Sequence, residues 1–302
     1  MIYTITLNPT LDYTIKIKDF KINEINTSEN EYILPGGKGI NVSIILKRLG
    51  FESIALGFIA GFVGDEIKKL IQNEKVETDF IKLKTQNSRI NIKILEEKRE
   101  TSINCKGPYI ENEYIEELYQ KIDTLKDNDI LVLSGSVPKG INENIYEKIC
   151  EKIKNKNIKI IVDSTKDLLL NTLKYRPFLI KPNQKELEEI FDTQILSKEQ
   201  AIEYAKKLQL KGAKNVIVSM GEDGSILLDE EKNFYKMEAI KNKNNINTVG
   251  AGDSMIAGFL AGYLKYNNYE QALKLGTSAA TATVNSVYLG NKKEIIEYFN
   301  RF

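Results

Sequence analysis

The second half of this chain alternates short apolar segments with helical ones, and this alternation most narrows the folds it can adopt. Residues 130–133 and 158–162 are almost wholly apolar, and each follows a segment with helical periodicity. Strands that are apolar on both faces are typical of a parallel sheet covered by helices on both sides. The pattern therefore predicts an α/β fold with a central, mostly parallel sheet flanked by helices on both faces.

The first third of the chain carries a different pattern. Residues 13–18 alternate apolar and polar side chains, and residues 90–104 predict a hairpin with a charged turn. We expect these segments, within about 12–34 and 90–104, to form a small β-sheet lid over a cleft. No repeat and no Pro- or Ser-rich linker interrupts the sequence, so residues 1–302 are predicted to form a single domain with the lid strands inserted.

Composition excludes several classes of function. Lys and Arg number 43 and Asp and Glu 42, so the net charge of +1 argues against broad binding to nucleic acid or to anionic membranes. No apolar run approaches the ~20 residues that a membrane span needs. The chain has no histidine, which excludes histidine-based catalysis and histidine metal ligands. Two cysteines, Cys105 and Cys150, do not make a disulfide framework, which favours a reducing cytoplasm.

The strongest motif is Thr248-Val249-Gly250-Ala251-Gly252-Asp253, which leads into an apolar helix. Small residues let a ligand approach the backbone, and the free N–H groups of a helix N-terminus attract phosphate. Asp253 lies in the first helical turn, where a carboxylate can cap the helix or accept a proton from an alcohol beside the phosphate. A usual aspartate pKa of about 3.9 would leave Asp253 ionised at neutral pH.

A second glycine-rich motif precedes the helix that begins near Ile40. It reads Gly36-Gly37-Lys38-Gly39-Ile40-Asn41, in which Asn41 can donate and accept hydrogen bonds and Lys38 supplies a positive charge. A ligand-binding loop and an ordinary glycine-rich loop are both compatible with this motif. Asp12 follows Asn8-Pro9 after the first strand, where it could bind vicinal hydroxyls or simply form a turn.

Three further segments carry polar side chains at the ends of predicted strands. Asn183 and Glu186 are spaced as a capping box, and the same pair could hold Mg²⁺ through water. The segment from Ser219 to Gly224 could hold nucleotide phosphates or form a tight hairpin turn. Arg89 is a candidate phosphate ligand.

Two familiar phosphate motifs are absent from the sequence. The Walker A motif fails because Gly39 follows Lys38 where Ser or Thr is required. The dinucleotide fingerprint fails because Met255 occupies the position of its third glycine. Both absences argue against a P-loop ATPase and against a dinucleotide-dependent oxidoreductase.

Taken in order, the motifs resemble those of the ribokinase-like, or PfkB, family of carbohydrate kinases over nearly the whole chain. Residues 36–41 match one family signature and residues 248–253 the other. Residues 6–12, 134–138 and 181–186 are similar to the branch of the family that acts on phosphosugars. Residues 89–93 and 250–255 look most like the fructose 1-phosphate kinases of that branch.

The resemblance implies a role for each matching residue. The implied catalytic residues are Asp253, Gly250, Ala251 and Gly252. The implied phosphosugar-binding residues are Asp12, Gly36, Gly37, Lys38, Asn41, Arg89, Asn91 and Ser136. The implied ATP-binding residues are Lys181, Asn183, Ser219, Gly221, Glu222, Gly224, Thr248, Ala251 and Gly252. Glu186 would bind Mg²⁺, through water.

The activity implied by the resemblance is ATP-dependent phosphorylation of fructose 1-phosphate at its 6-hydroxyl, giving fructose 1,6-bisphosphate by direct in-line transfer. A kinase of tagatose 6-phosphate or of fructose 6-phosphate is the alternative within the family, although the fructose 6-phosphate enzymes typically have Gly where Lys38 stands. A non-catalytic sugar- or nucleotide-binding protein on the same fold is the alternative of a different class. The resemblance also implies ATP and Mg²⁺ as cofactors and a homodimer formed through the lid.

Overall fold

The structure is a computed structural model, and it describes residues 1–97, 99–240 and 248–302. The described residues form fourteen strands and ten α-helices. The strands are β1 (Ile2–Thr6), β2 (Thr10–Lys16), β3 (Asn30–Gly36), β4 (Ile54–Ala60), β5 (Glu77–Thr78), β6 (Ile81–Leu83), β7 (Arg89–Leu95), β8 (Glu100–Asn104), β9 (Ile130–Ser134), β10 (Lys159–Asp163), β11 (Leu179–Ile180), β12 (Asn215–Ser219), β13 (Ser225–Leu228) and β14 (Phe234–Met237). The helices are α1 (Lys38–Leu49), α2 (Gly61–Asn73), α3 (Asn112–Asp123), α4 (Ile145–Lys152), α5 (Lys166–Leu170), α6 (Gln184–Phe191), α7 (Lys198–Leu210), α8 (Ala251–Tyr266), α9 (Tyr269–Val284) and α10 (Lys292–Phe299).

The central sheet is mostly parallel, as the sequence predicts. Its strand order is β14-β13-β12-β11-β10-β9-β1-β4-β5, and β6 adds to β4. The pairs from β12 through β4 are all parallel, while β13 and β14 join as an antiparallel hairpin at one edge. This hairpin was not predicted, because its two strands are only four residues long and β14 is half exposed.

Helices cover both faces of the central sheet and bury two separate apolar cores. Along β9, Leu131 and Leu133 point into a core with α3, α4, α6 and α7, whereas Ile130 and Val132 point into a core with α1, α2, α8 and α9. Because successive side chains of a strand point to opposite faces, a strand between two helical layers must be apolar throughout. The prediction from residues 130–133 is thus confirmed.

A separate four-stranded sheet, with strand order β3-β2-β7-β8, is built from the two early segments. The hairpin predicted at 90–104 is confirmed as the antiparallel pair β7 and β8, and Lys98 in its turn lies outside the described residues. One face of this small sheet, carrying Asp12, Thr14 and Lys93, lines a cavity toward the body of the protein. Across residues 1–97, 99–240 and 248–302, no helix is both long and apolar enough to cross a membrane.

Candidate active site

The carboxyl ends of the parallel strands β1, β9, β10 and β12 open onto one cavity of about 470 Å³, here called the transfer cavity. This is the edge at which open α/β sheets bind ligands. Its wall also includes residues of the small sheet and of the two glycine-rich motifs. The side chains that bring charge to the transfer cavity are those of Asp12, Lys38, Arg89, Asp163, Lys181, Glu186 and Asp253.

The motif at residues 248–253 forms the N-terminus of α8 on this cavity. Gly250 is the N-cap residue with a left-handed φ of 81°, which favours glycine. No side chain of the described residues caps this helix end, and the N–H of Ala251 makes only a long hydrogen bond, at 3.4 Å, to the carbonyl of Thr248, so the first turn can still donate to an anion. Asp253 is the third helical residue rather than the cap, and the capping alternative for Asp253 is therefore wrong.

Asp253 is buried, with 5% of its surface exposed, and its Oδ2 accepts a hydrogen bond from Asn41 Nδ2 at 2.8 Å. Burial, together with the negative charge of Asp163, raises the pKa of Asp253 to about 6. The expectation of a usual aspartate pKa is thus corrected. A carboxylate with this pKa remains mostly ionised at neutral pH and is a better proton acceptor than an exposed aspartate.

Asp163, at the end of β10, is a charged group that the sequence analysis missed. Its buried carboxylate pairs with Lys38 Nζ at 3.0 Å and with Lys181 Nζ at 3.3 Å. Although burial opposes ionisation, the ammonium groups of Lys181 and Lys38 hold the pKa of Asp163 below its usual value. The Asp163 side chain therefore holds Lys38, from the motif at 36–41, and Lys181, which follows β11. The available signal was a lone Asp directly after an apolar strand.

Polar side chains from the small sheet form the far wall of the transfer cavity. Asn91 Nδ2 donates to Asp12 Oδ1 at 3.2 Å, and Arg89 Nε donates to the carbonyl of Asn8 at 3.2 Å. Asp12 lies within β2, so the alternative that it merely forms a turn is wrong.

Several buried oxygens of residues that line the transfer cavity have no hydrogen-bond partner within the described part of the chain. They are Asn8 Oδ1, Thr10 Oγ1 and Asn41 Oδ1. Because buried polar atoms are nearly always paired in native proteins, this concentration indicates a hydroxyl-rich or hydrated ligand.

A second cavity of about 530 Å³, here called the nucleotide cavity, adjoins the first at Asn183, Ser219 and Gly252. The turn after β12 lies on it and joins β12 to antiparallel β13, so the hairpin reading of 219–224 is confirmed while the segment also faces a ligand space. The predicted ATP-binding residues on this cavity are Asn183, Ser219, Gly221, Glu222, Gly224, Thr248, Ala251 and Gly252. Lys181 lies in the transfer cavity instead.

The rest of the nucleotide cavity is an apolar wall that the sequence analysis missed. It consists chiefly of Ala239, Ile240, Met255, Ala280 and Val284. These side chains come from three separate segments and have no acid–base, nucleophilic or charged group. A flat aromatic ring packs well against such a wall.

The pair Asn183 and Glu186 forms a complete capping box on α6. Asn183 Oδ1 accepts from the backbone N–H of Glu186 at 2.9 Å, and Glu186 Oε2 accepts from that of Asn183 at 2.8 Å. The structural alternative is therefore confirmed, yet Glu186 also lines the transfer cavity.

The described residues include no group of three or more acidic or cysteine side chains that could hold a metal ion by themselves. Mg²⁺ that is bound mainly by nucleotide phosphates and water needs only one or two carboxylates. The oxygen donor of Glu186 fits such an ion.

The remaining predicted phosphosugar residues also converge on the transfer cavity. Those on its wall are Asp12, Gly37, Lys38, Asn41, Arg89, Asn91 and Ser136. Gly36 is buried behind them, where an added β-carbon would lie 2.6 Å from Asp12 Oδ2.

A polar cavity with a buried carboxylate at a helix N-terminus, beside an apolar cavity that shares its wall, is the arrangement of a phosphotransferase with an alcohol acceptor. Residues 6–295 match the pfkB family of carbohydrate kinases, and the chain belongs to that family.

Two relatives and one solved structure show which members the chain is similar to. It is 43% identical to the 1-phosphofructokinase of Bacillus subtilis, over 97% of this chain and 95% of the relative. It is 36% identical to the D-tagatose-1-phosphate kinase of Bacillus licheniformis, over 98% of this chain and 96% of the relative. The fold superposes on phosphofructokinase-2 of Escherichia coli, solved with substrates and products, with a TM-score of 0.93 and 25% identity, covering 99% of this chain and 98% of that one.

Proposed function

We propose that this protein transfers the γ-phosphoryl group of ATP to the 6-hydroxyl of fructose 1-phosphate, giving fructose 1,6-bisphosphate and ADP. The observation that carries the proposal is the place of Asp253, a buried carboxylate that lines the transfer cavity and follows Gly252, one of the residues at which the two cavities meet. The two relatives above are, by name, a 1-phosphofructokinase and a D-tagatose-1-phosphate kinase, which supports a ketohexose 1-phosphate as the acceptor.

On the acceptor side, hydrogen-bonding side chains would hold the sugar and a cation would hold its phosphate. Asp12 and the unpaired Oδ1 of Asn41 would accept hydrogen bonds from sugar hydroxyls. Arg89, half-buried on β7, would bind the 1-phosphate through its planar guanidinium. The 6-hydroxyl, at the other end of the sugar, would then lie beside Asp253.

Asp253 would act as the general base. The 6-hydroxyl proton passes to its carboxylate while the sugar oxygen bonds to the γ-phosphorus and the bond from that phosphorus to the β,γ-bridging oxygen breaks. Since such transition states are loose, proton transfer can be late, and positioning supplies most of the catalysis. General-base assistance of this kind contributes typically ~10²–10⁴-fold.

On the donor side, the nucleotide cavity would hold adenosine against its apolar wall. The free N–H groups of the first turn of α8 would receive the charge that develops on the transferred phosphoryl group. Lys38 and Lys181, fixed by Asp163, would lie beside the same phosphates. When bound, Mg²⁺ would neutralise phosphate charge, and Glu186 would hold it through water.

The experiment that tests the acceptor is a panel of phosphosugars with MgATP, followed by ADP release. It includes fructose 1-phosphate, tagatose 1-phosphate, tagatose 6-phosphate and fructose 6-phosphate. The proposal predicts the highest kcat/KM for fructose 1-phosphate. A higher value for either 6-phosphate would assign the 6-phosphate alternative instead, and binding of every sugar without turnover would assign a non-catalytic binding protein.

We also infer that the chain acts as one domain whose small sheet is the lid, and that two copies pair through the outer face of that lid. Tyr13 pairs with Ile33 and Ile92, and Ile92 with Ile103, so these side chains share the face opposite Asp12. Ile33 and Ile103 are about half exposed, at 47% and 51%. Light scattering would then give twice the chain mass of 34.4 kDa; a monomer at micromolar concentration would contradict the inference.

A cytoplasmic location is part of the same proposal. The free thiols of exposed Cys105 and buried Cys150 suit a reducing compartment.

A further inference from the structure

One short segment, residues 288–290, touches both the small sheet and the glycine turn at Asp253. It follows α9 and lies outside every motif that the sequence analysis singled out. Tyr288 and Leu289 are consecutive in the chain, yet they contact opposite parts of the active site.

Tyr288 holds the end of the lid. Its hydroxyl donates to the carbonyl oxygen of Pro35 at 2.9 Å. Pro35 lies near the end of β3, directly before the motif at 36–41. Burial raises the pKa of Tyr288 above its usual value, so the hydroxyl stays protonated and remains a donor. Any displacement of the end of β3 therefore acts directly on Tyr288.

Leu289 holds the anion-binding turn. A β-carbon added to Gly250 would lie only 2.7 Å from Leu289 Cδ2, so the buried Leu289 side chain packs directly on the N-cap residue of α8. Gly290 adds a second link, since its N–H donates to Thr283 Oγ1 at 3.0 Å. Thr283 Oγ1 lies 2.7 Å from the hydroxyl of Ser254, the residue after Asp253.

The backbone between these contacts is clamped. Arg48 Nη1 donates to the carbonyls of Leu289 and Gly290, at 2.6 and 3.2 Å. The other side of the same guanidinium binds Glu74 at 2.6 and 3.2 Å. Arg48 also lies over the Tyr288 ring, with its central carbon 5.7 Å from the ring centroid. A segment held in this way moves as a unit instead of absorbing a displacement at one end.

We propose that Tyr288 is a positioning residue that couples the lid to the Gly250 turn, so that a phosphosugar bound on the lid tightens the binding of nucleotide at the turn. This inference rests on the proposed function. The sugar side chains Asp12 and Asn91 lie on the lid, while the phosphate-binding N–H groups lie at the turn. Coupling between two such sites is reciprocal, and it is measured as the factor by which one ligand changes the affinity of the other.

The test is the affinity of a non-hydrolysable ATP analogue with Mg²⁺, measured by calorimetry with and without saturating fructose 1-phosphate. In the unaltered protein the sugar should tighten nucleotide binding. Tyr288→Phe removes one hydroxyl and keeps the ring, so that tightening should shrink by about 3- to 10-fold, the usual net effect of one buried hydrogen bond. Affinity for the analogue alone should stay within about twofold, because the nucleotide cavity itself is unaltered.

Tyr269→Phe is the matched control, because it removes the hydroxyl that donates to Glu230 at 2.6 Å, outside both cavities. It should leave the tightening unchanged. Equal tightening in Tyr288→Phe and the unaltered protein would overturn the inference, as would an equal loss in Tyr269→Phe or no tightening in the unaltered protein.

Turnover measured on the same samples separates this inference from the proposed function. If fructose 1-phosphate is turned over but does not tighten nucleotide binding, only the coupling role of Tyr288 is contradicted. Failure to turn over this sugar removes the proposed function and, with it, the inference.

Discussion

The two cavities that meet at Gly252, next to Asp253, are lined by different kinds of side chain. The transfer cavity is lined by charged and amide side chains from six separate stretches of chain, several with unpaired buried oxygens. The nucleotide cavity has Glu222 as its only charged side chain among the described residues, and most of its other lining residues are glycines, alanines, aliphatic residues and threonines from α8, α9 and the turn after β12. We therefore expect the first cavity to select its ligand by hydrogen bonds and charge and the second by shape and apolar contact, so that changes in each affect different kinetic constants.

The largest effect is expected at the junction, where both ligands depend on one residue. Asp253→Asn keeps the size of the side chain and removes the base, so kcat should fall about 10²- to 10⁴-fold. Fold and ATP binding should survive, as measured by circular dichroism and calorimetry. Asp65→Asn, which alters an exposed ion pair with Lys82, is the control and should keep full activity. Activity of Asp253→Asn close to that of the unaltered protein would remove the base from the mechanism.

A smaller effect, confined to the sugar, is expected at the lid. Arg89→Ala removes charge-assisted hydrogen bonds to the sugar phosphate and should raise the KM for fructose 1-phosphate about 10- to 100-fold. The KM for ATP should change less than about twofold, because Arg89 does not reach the nucleotide cavity. Arg99→Ala, on the exposed hairpin of the same sheet, should change neither constant. An equal rise in both KM values would break the contrast between the cavities.

The reciprocal change fills the apolar cavity. Ala280→Phe places a ring on the wall of the nucleotide cavity. It should raise the KM for ATP by about tenfold, because the ring occupies space that the nucleotide would fill. The KM for fructose 1-phosphate should stay nearly constant. Glu270→Phe adds the same ring on an exposed position of α9 and serves as the control. Unaltered ATP kinetics in Ala280→Phe would mean that the nucleotide binds elsewhere.

The same contrast explains what the sequence could and could not reveal. Wholly apolar runs such as 130–133 predict buried parallel strands because only two covered faces allow them. Motifs such as 36–41 and 248–253 are visible because clustered glycines beside a Lys, Asn or Asp side chain indicate contact with a polar or anionic ligand. Most of the transfer cavity was therefore predictable.

The site residues that were not predicted have no comparable sequence pattern. Ala280 and Val284 look like any core residues of a helix, and their role depends on the space that the fold leaves beside them. Asp163 is a single acidic residue, and its role depends on ion pairs with two lysines that lie 125 and 18 residues away in sequence. Tyr288 is an isolated aromatic whose partner, Pro35, lies 253 residues earlier. Long-range packing decides all three.

The central claim is that burial and the neighbouring Asp163 set the proton affinity of the base at the junction. In the unaltered protein, kcat/KM for fructose 1-phosphate should fall as the pH falls through about 6, since protonated Asp253 cannot accept a proton. The sugar phosphate titrates in the same range, so the decisive measurement compares two proteins with one substrate. Asp163→Asn removes a negative charge near Asp253 and leaves Lys38 and Lys181 close to it.

The direct test is thus the pH dependence of kcat/KM for fructose 1-phosphate in the unaltered protein and in Asp163→Asn, between pH 4.5 and pH 8. Because the substrate is the same, any difference between the acid limbs belongs to the enzyme. The account predicts that the acid limb of Asp163→Asn lies at lower pH, even though its maximal rate is reduced. An acid limb at the same or at higher pH in Asp163→Asn would contradict it.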